Sequence, residues 1–137
     1  MQDLKDIDIS KLPSPCYLVD ERLIKKNLET LKYVQDSTGC NIILATKAFS
    51  MYSTFPLIGK YLKGVTSSSL HEARLGYEEM GKEVHIYAPA YREDEFDEIM
   101  KYSDHIIFNS FSQWKKFRDK VKAQDKKIEC AIRINPE

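Results

Sequence analysis

The sequence has little of the features that mark several specialised classes of protein. Basic and acidic residues number 21 each, so the formal net charge at pH 7 is zero. Without a basic excess or a basic stripe, nucleic-acid binding through counterion release has little support. No apolar run approaches a transmembrane length, and the acidic N-terminal stretch lacks the apolar core of a signal peptide. We therefore expect a cytoplasmic protein with no membrane or nucleic-acid partner.

Cysteine is scarce as well. Cys16, Cys40 and Cys130 are an odd number and show no C-x-x-C or other metal-ligand spacing. This predicts reduced, partly buried thiols rather than a disulfide framework. The three histidines also lack ligand spacing, so no metal site is expected. At 137 residues, 42% hydrophobic and 31% charged, the chain is typical of one folded domain at most.

What the sequence does contain is a repeated alternation of apolar strands and amphipathic helices. The candidate strands begin near Asn41, Val65, Glu83, His105 and Ile128. Strands that alternate with helices at this regular spacing predict parallel βαβ units with right-handed crossovers. The fold class is therefore α/β.

Helix boundaries are marked by capping and stop residues. Asp20 can cap a helix over residues 21–35, and Gly39 suits its end. Gly64 and Gly81 fall where later helices are expected to end. An earlier strand is predicted over residues 14–20, entered through a proline.

Two four-residue segments match the capping box, in which side chains satisfy free amides at a helix start. They begin at Ser69, with Glu72 as the reciprocal acceptor, and at Ser110, with Gln113 in the same role. Helix capping alone accounts for these residues. A functional role is the alternative for Ser69 and Glu72.

Five parallel strands cannot close an eight-stranded barrel. They form either an open doubly wound sheet or the first part of a barrel whose remainder is absent. The chain ends over residues 132–137, directly after a predicted strand. A natural domain seldom ends on a bare edge strand, which invites mispairing. We therefore interpret the chain as truncated.

Polar residues cluster at the predicted C-terminal ends of strands, where β/α barrels place their active sites. Lys47 ends the apolar run 41–46, where a buried amine must neutralise, find a counter-charge or do chemistry. Such a lysine can form a Schiff base with an aldehyde cofactor, although it can also extend to solvent from a strand end. The other polar groups are Thr66 with the serines that follow it, Asn109 with Ser110, and Arg133.

Arg133 lies in the apolar context Ala131-Ile-Arg-Ile134. An unpaired guanidinium there is unfavourable, so a carboxylate, phosphate or cofactor oxygen is expected beside it. A structural ion pair and a functional contact remain equal alternatives. Asn109 and Ser110 are interpreted as turn and cap.

Six stretches, taken in order, resemble the carboxynorspermidine (carboxyspermidine) decarboxylases of the alanine racemase and ornithine decarboxylase superfamily, which use pyridoxal 5'-phosphate. They are residues 14–20, 44–51, 67–78, 83–91, 108–113 and 133–137. The segments Lys-Ala-Phe-Ser and His-Glu-Ala-Arg-Leu-Gly-Tyr-Glu carry the branch-specific part of the resemblance. The Lys-Ala pair alone indicates only the superfamily.

The resemblance implies a role for each candidate residue. Lys47 would be the Schiff-base lysine, Arg133 would stand beside the cofactor ring, and Ser69 and Glu72 would lie near its edge. Related decarboxylases carry an acidic residue where Thr66 stands, which leaves a polar role for Thr66 open.

The resemblance also implies a division of the chain. Residues 1–20 would supply a strand that pairs with an absent C-terminal β-domain. Residues 21–137 would be the N-terminal part of a pyridoxal-phosphate-binding (β/α)8 barrel, with about five of its eight strands. The groups that hold the cofactor phosphate and pyridine nitrogen would then lie beyond residue 137.

The implied activity is decarboxylation of carboxynorspermidine or carboxyspermidine in polyamine biosynthesis, by a homodimeric full-length enzyme. The isolated chain is expected to be inactive. One alternative is a non-catalytic pyridoxal-phosphate carrier, which also uses a first-strand lysine. Another is a gene remnant that folds poorly. The sequence does not distinguish the two substrates.

Overall fold

Five short strands pair side by side in the computed structural model, which describes residues 7–136. Their order in the sheet is the order of the chain, and every neighbouring pair is parallel. The strands are β1 (Ile43–Ala45), β2 (Gly64–Ser67), β3 (Glu83–Tyr87), β4 (His105–Phe108) and β5 (Glu129–Ile132).

A helix precedes β1, and helices connect the successive strands. They are α1 (Glu21–Thr38), α2 (Phe55–Ile58), α3 (Leu70–Leu75), α4 (Glu93–Tyr102) and α5 (Phe111–Lys122). A π-helical turn, Gly76–Met80, continues α3, and short 3-10 turns occupy Ile9–Lys11 and Tyr52–Thr54. None of the helices described here is long and apolar enough to cross a membrane.

The two faces of the sheet differ in burial. Val84 and Ile86 of β3 are fully buried under the helices, whereas His85 and Tyr87, which alternate with them, are only partly covered. A doubly wound sheet reverses its strand order at a switch point and has helices on both faces. Here the order never reverses and one face stays open. The fold is therefore a partial TIM-type barrel, as the sequence predicted.

Aromatic side chains fill the space between the sheet and the last two helices. The rings of Phe96 and Phe117 stack with centroids 4.0 Å apart, and Tyr91 meets both rings and Phe108 edge to face. All four residues are buried. Edge-to-face and offset contacts are favourable arrangements for such rings, so this cluster fixes α4 and α5 on the sheet.

Several expected helix boundaries are confirmed. The Asp20 carboxylate accepts the Arg22 backbone N–H at 2.9 Å and caps α1, which ends at Gly39. Gly81 has a φ of 62°, the left-handed conformation that favours glycine, and it ends the π-helical turn. Gly64 instead opens β2. A β-carbon there would lie 2.0 Å from the Glu83 carbonyl oxygen, so only glycine permits this approach.

Two other expectations have different outcomes. Residues 14–20 pair with no described segment. The strand expected there was to pair with a β-domain outside this chain, so it stays a prediction. Tyr17, at the middle of this segment, is 97% exposed. The cysteines are indeed free, but all three are exposed rather than partly buried.

Candidate active site

Lys47 lies in a tight turn directly after β1, at the C-terminal edge of the sheet. The turn is closed by the Ala45 carbonyl, which accepts the backbone N–H groups of Ala48 at 3.0 Å and Phe49 at 3.2 Å. The lysine is exposed, so the expected burial is not found. Within residues 7–136, its side chain makes no hydrogen bond or ion pair, which leaves the amine available to a ligand.

The residue before Lys47 is held firmly in place. Thr46 is completely buried, and its backbone N–H donates to the Thr66 carbonyl at 3.1 Å. Its hydroxyl lies 3.0 Å from the same carbonyl and 2.9 Å from a Glu72 carboxylate oxygen. The Ser50 hydroxyl also donates to the Thr46 carbonyl. The backbone that carries Lys47 is therefore anchored on both β2 and α3.

Glu72 explains part of this anchoring and departs from the predicted capping box. Ser69 caps α3, because its hydroxyl accepts the Glu72 backbone N–H at 3.3 Å. The Glu72 carboxylate, however, accepts the N–H of Ser68 at 2.7 Å instead of the expected N–H of Ser69. This shift brings the carboxylate to Thr46. Ser69 and Glu72 thus support the turn of Lys47 through the backbone and through Thr46.

The second capping segment shows the same shift. Ser110 accepts the Gln113 backbone N–H at 3.2 Å, while the Gln113 side chain accepts the N–H of Asn109 at 2.7 Å. Asn109 therefore has its backbone fixed by α5. Its side chain takes no part in the cap and instead contacts the Tyr87 hydroxyl of β3.

Arg133 follows β5 and contacts an aromatic residue two strands away. Its guanidinium donates to the Tyr87 hydroxyl at 2.6 Å and lies 5.2 Å from the centroid of the same ring. The Tyr87 hydroxyl donates in turn to the Asn109 side-chain oxygen at 2.8 Å. Of the partners expected for Arg133, a carboxylate is not found among residues 7–136, and a phosphate or cofactor oxygen stays a prediction. A phenol takes the carboxylate's place, and Arg133 is exposed.

The structure does not bring Lys47 and Arg133 together. They follow β1 and β5, which are the two edges of the sheet. Four strand spacings separate them by roughly 19 Å along the sheet. The C-terminal edge therefore carries two groups of residues, one around Lys47 and one around Arg133.

The open face of the sheet also carries a histidine pair that sequence spacing missed. The imidazole rings of His85 and His105 stack with centroids 3.9 Å apart. Burial, and next the neighbouring His105, lower the pKa of His85 below its ordinary value. The signal that could have found this pair is strand register, since both residues are inward positions of neighbouring strands.

Comparison with known proteins shows what this arrangement is similar to. No protein-family profile matches the chain. A carboxynorspermidine/carboxyspermidine decarboxylase from Campylobacter jejuni is 38% identical over 125 residues, which is 91% of this chain. The crystal structure of carboxynorspermidine decarboxylase from the same organism, complexed with norspermidine, is 41% identical with a TM-score of 0.79. The chain is similar to part of a carboxynorspermidine decarboxylase. This confirms the resemblance predicted from the sequence.

The similarity covers most of this chain but only part of each relative. A carboxyaminopropylagmatine decarboxylase from Synechocystis is 42% identical over 98% of this chain and 34% of its own length. The Campylobacter jejuni carboxynorspermidine decarboxylase structure matches over 81% of this chain and 30% of that one. The chain thus spans about a third of the length of these decarboxylases. All three relatives are named as decarboxylases of carboxylated amines, and none is named as a cofactor carrier.

Proposed function

We propose that this chain is the lysine-bearing segment of a pyridoxal-phosphate-dependent decarboxylase that acts on carboxylated polyamines. The observation that carries the proposal is the position of the Lys47 amine. This exposed amine, which has no partner among residues 7–136, follows the first strand of a partial barrel, on a turn anchored through Thr46 and Glu72. The decarboxylase names of the relatives support the same chemistry.

The residues present fit part of the cofactor. A primary amine without a competing carboxylate is suited to covalent capture of an aldehyde. Arg133, exposed and oriented by Tyr87, is suited to an anionic oxygen. When bound, pyridoxal phosphate supplies an electron sink for the electron pair that remains when CO2 leaves. Lys47 would hold the aldehyde carbon, and Thr46 and Glu72 keep the lysine backbone in place.

We propose that Ser69 and Glu72 support this site indirectly, without contacting the cofactor. Ser69 holds the first turn of α3, and α3 carries the Glu72 carboxylate to Thr46. Thr66 contributes its carbonyl oxygen to the same anchor. These residues therefore support the site near the cofactor edge.

The site in this chain is incomplete in the proposal. Lys47 and Arg133 stand at opposite edges of the sheet, and the groups that would hold the cofactor phosphate and pyridine nitrogen are proposed to lie beyond residue 137. We therefore propose that the isolated chain has no turnover, and that the complete enzyme is a homodimer with a C-terminal β-domain. Residues 1–20 are proposed to pair with that domain, and the barrel portion to begin at residue 21.

The proposed substrate class is an amino acid at one end of a polyamine chain. Carboxynorspermidine and carboxyspermidine are the substrates implied by the name of the Campylobacter jejuni relative, and carboxyaminopropylagmatine is implied by that of the Synechocystis relative. All three names describe a carboxylate attached to an amine-rich chain. The chemistry at Lys47 is the same for each.

Addition of pyridoxal phosphate to the purified chain tests the proposal. A band at about 420 nm, typical of a protonated Schiff base, is expected with the parent sequence and absent with Lys47→Ala. Lys60→Ala is the matched control, because Lys60 is exposed but lies after α2, away from the C-terminal edge. A band of equal intensity in Lys47→Ala would refute the assignment. Release of CO2 from carboxynorspermidine by the isolated chain would refute the proposed inactivity.

A further inference from the structure

Four titratable side chains meet on the open face of the sheet, near the strand ends opposite those that precede Lys47 and Arg133. They are Glu83 and His85 of β3, His105 of β4 and Glu129 of β5, here called the inner-face cluster. Nothing in the proposed decarboxylase chemistry uses them. They are partly accessible, with side-chain exposures of 23% for His85 and 29% for His105.

Strand register brings the cluster together. His85 pairs with His105, and His105 pairs with Glu129, so the three residues form one row across three parallel strands. Glu83 lies two positions before His85 and therefore points to the same face. Because register in a sheet with one buried face is strongly fixed, the backbone holds these groups together without a ligand.

Imidazole nitrogens and carboxylate oxygens, which both bind metal ions, lie close together in the inner-face cluster. His85 Nε2 lies 3.4 Å from a Glu83 carboxylate oxygen, and His105 Nδ1 lies 3.6 Å from a Glu129 carboxylate oxygen. One ligand atom from each of Glu83, His85 and His105 lies within 4.8 Å of the other two. Around one zinc ion, nitrogen and oxygen ligands at 2.0–2.2 Å are roughly 3–4 Å apart. To reach that geometry the side chains must rotate and bring these atoms closer together.

We propose that Glu83, His85 and His105 form a binding site for a divalent transition-metal ion, with zinc the ion that best suits the ligands. Two imidazoles and one carboxylate are a common zinc set that leaves a fourth position for water. Glu129 would accept the Nδ1–H of His105 and leave its Nε2 for the ion, as carboxylates behind metal-bound histidines do. Lys127 pairs with Glu129 at 2.9 Å, which favours this supporting role over direct ligation.

The two stacked rings are nearly parallel, with an interplanar angle of 11°. Lone pairs in parallel planes do not converge on one point, so binding requires at least one ring to rotate. Zinc binding is therefore expected to break the ring stack. This gives a structural signal that is independent of Lys47 and of pyridoxal phosphate.

Titration of the purified chain with zinc chloride, followed by calorimetry, tests the site. One zinc per chain is expected, with at least tenfold weaker binding in His85→Asn and in His105→Asn. His71→Asn is the matched control, because His71 is an exposed histidine on α3. Absence of stoichiometric binding by the parent chain would overturn the proposal, as would equal weakening in the His71 variant.

A second measurement needs no variant and so does not depend on how the variants fold. NMR spectra of the parent chain are expected to show imidazole signals of His85 and His105 shifting with zinc, while those of His71 stay in place. Cobalt(II) bound to the same site is expected to give a visible absorption spectrum typical of four-coordinate nitrogen and oxygen ligation. Signals of His71 shifting alone would contradict the proposal.

Discussion

The Glu72 carboxylate accepts the Thr46 hydroxyl at 2.9 Å and thereby connects α3 to the residue that precedes Lys47. The two residues belong to consecutive strand–helix units. The same carboxylate oxygen accepts the Ser68 backbone N–H at 2.7 Å. One acidic side chain therefore joins the end of β1 to the loop after β2, and this link is one of the contacts that hold the lysine backbone.

Glu72→Ala is expected to destabilise the chain by about 1–2 kcal/mol, because the Ser68 amide loses its acceptor while the buried Thr46 hydroxyl keeps only the Thr66 carbonyl. Combined with Thr46→Val, its effect is expected to be less than additive, since both changes remove the same hydrogen bond. Urea unfolding of the two single variants and the double variant measures this coupling. Glu79→Ala, an exposed change in the neighbouring π-helical turn, is the control. Strict additivity would argue against the link.

Ser69→Ala is expected to cost about 1 kcal/mol of unfolding free energy, because the hydroxyl caps α3. Ser67 offers a matched comparison two positions earlier. In the described part of the chain its buried hydroxyl has no hydrogen-bond partner, so Ser67→Ala is expected to be neutral or stabilising. Thermal unfolding of both variants distinguishes the two serines. An equal loss in both would show that the cap contributes nothing specific.

Local patterns predicted the elements of this fold well, and residue pairings poorly. β3 and β4 begin at Glu83 and His105, as the alternation of apolar and polar residues indicated. The Glu72 carboxylate was predicted to cap its own helix, but it reaches back to Ser68 and across to Thr46. A local motif cannot reveal that second partner, which another strand supplies.

The partners of Arg133 and His85 were not predictable for the same reason. Arg133 was expected to have an anionic partner, yet its guanidinium donates to the hydroxyl of Tyr87, which belongs to a strand far earlier in the chain. His85 and His105 have no ligand spacing in the sequence, because only strand register places them side by side. Such contacts depend on which inward positions of different strands share a row, which spacing along the chain does not encode.

Tyr91 connects the ends of β3 and β4, since its buried hydroxyl lies 3.1 Å from the Ile86 carbonyl and 2.9 Å from the Ile107 carbonyl. It also accepts the Ala88 backbone N–H at 3.2 Å. Tyr91→Phe is therefore expected to lower the unfolding free energy by about 1–3 kcal/mol at pH 7. Tyr33→Phe, on the exposed part of α1, is expected to change it little. Chemical denaturation measures both.

Tyr91 also makes stability depend on alkaline pH. Burial raises the pKa of this phenol above its ordinary value of 10.0. The unfolded chain then releases the proton more readily than the folded one, so stability is retained below about pH 10 and declines as pH rises further. The stability difference between the parent chain and Tyr91→Phe is expected to shrink above pH 10. A difference that stays constant from pH 8 to pH 11 would contradict this assignment.

The proposed function depends most on the amine of Lys47, and reductive trapping tests that amine most directly. The purified chain is treated with limiting pyridoxal phosphate, reduced with borohydride, digested, and mapped by mass spectrometry. The phosphopyridoxyl label is expected to accumulate on the peptide containing Lys47 well ahead of the peptide containing Lys60. Labelling spread evenly over exposed lysines, or concentrated on a lysine other than Lys47, would contradict the proposed function.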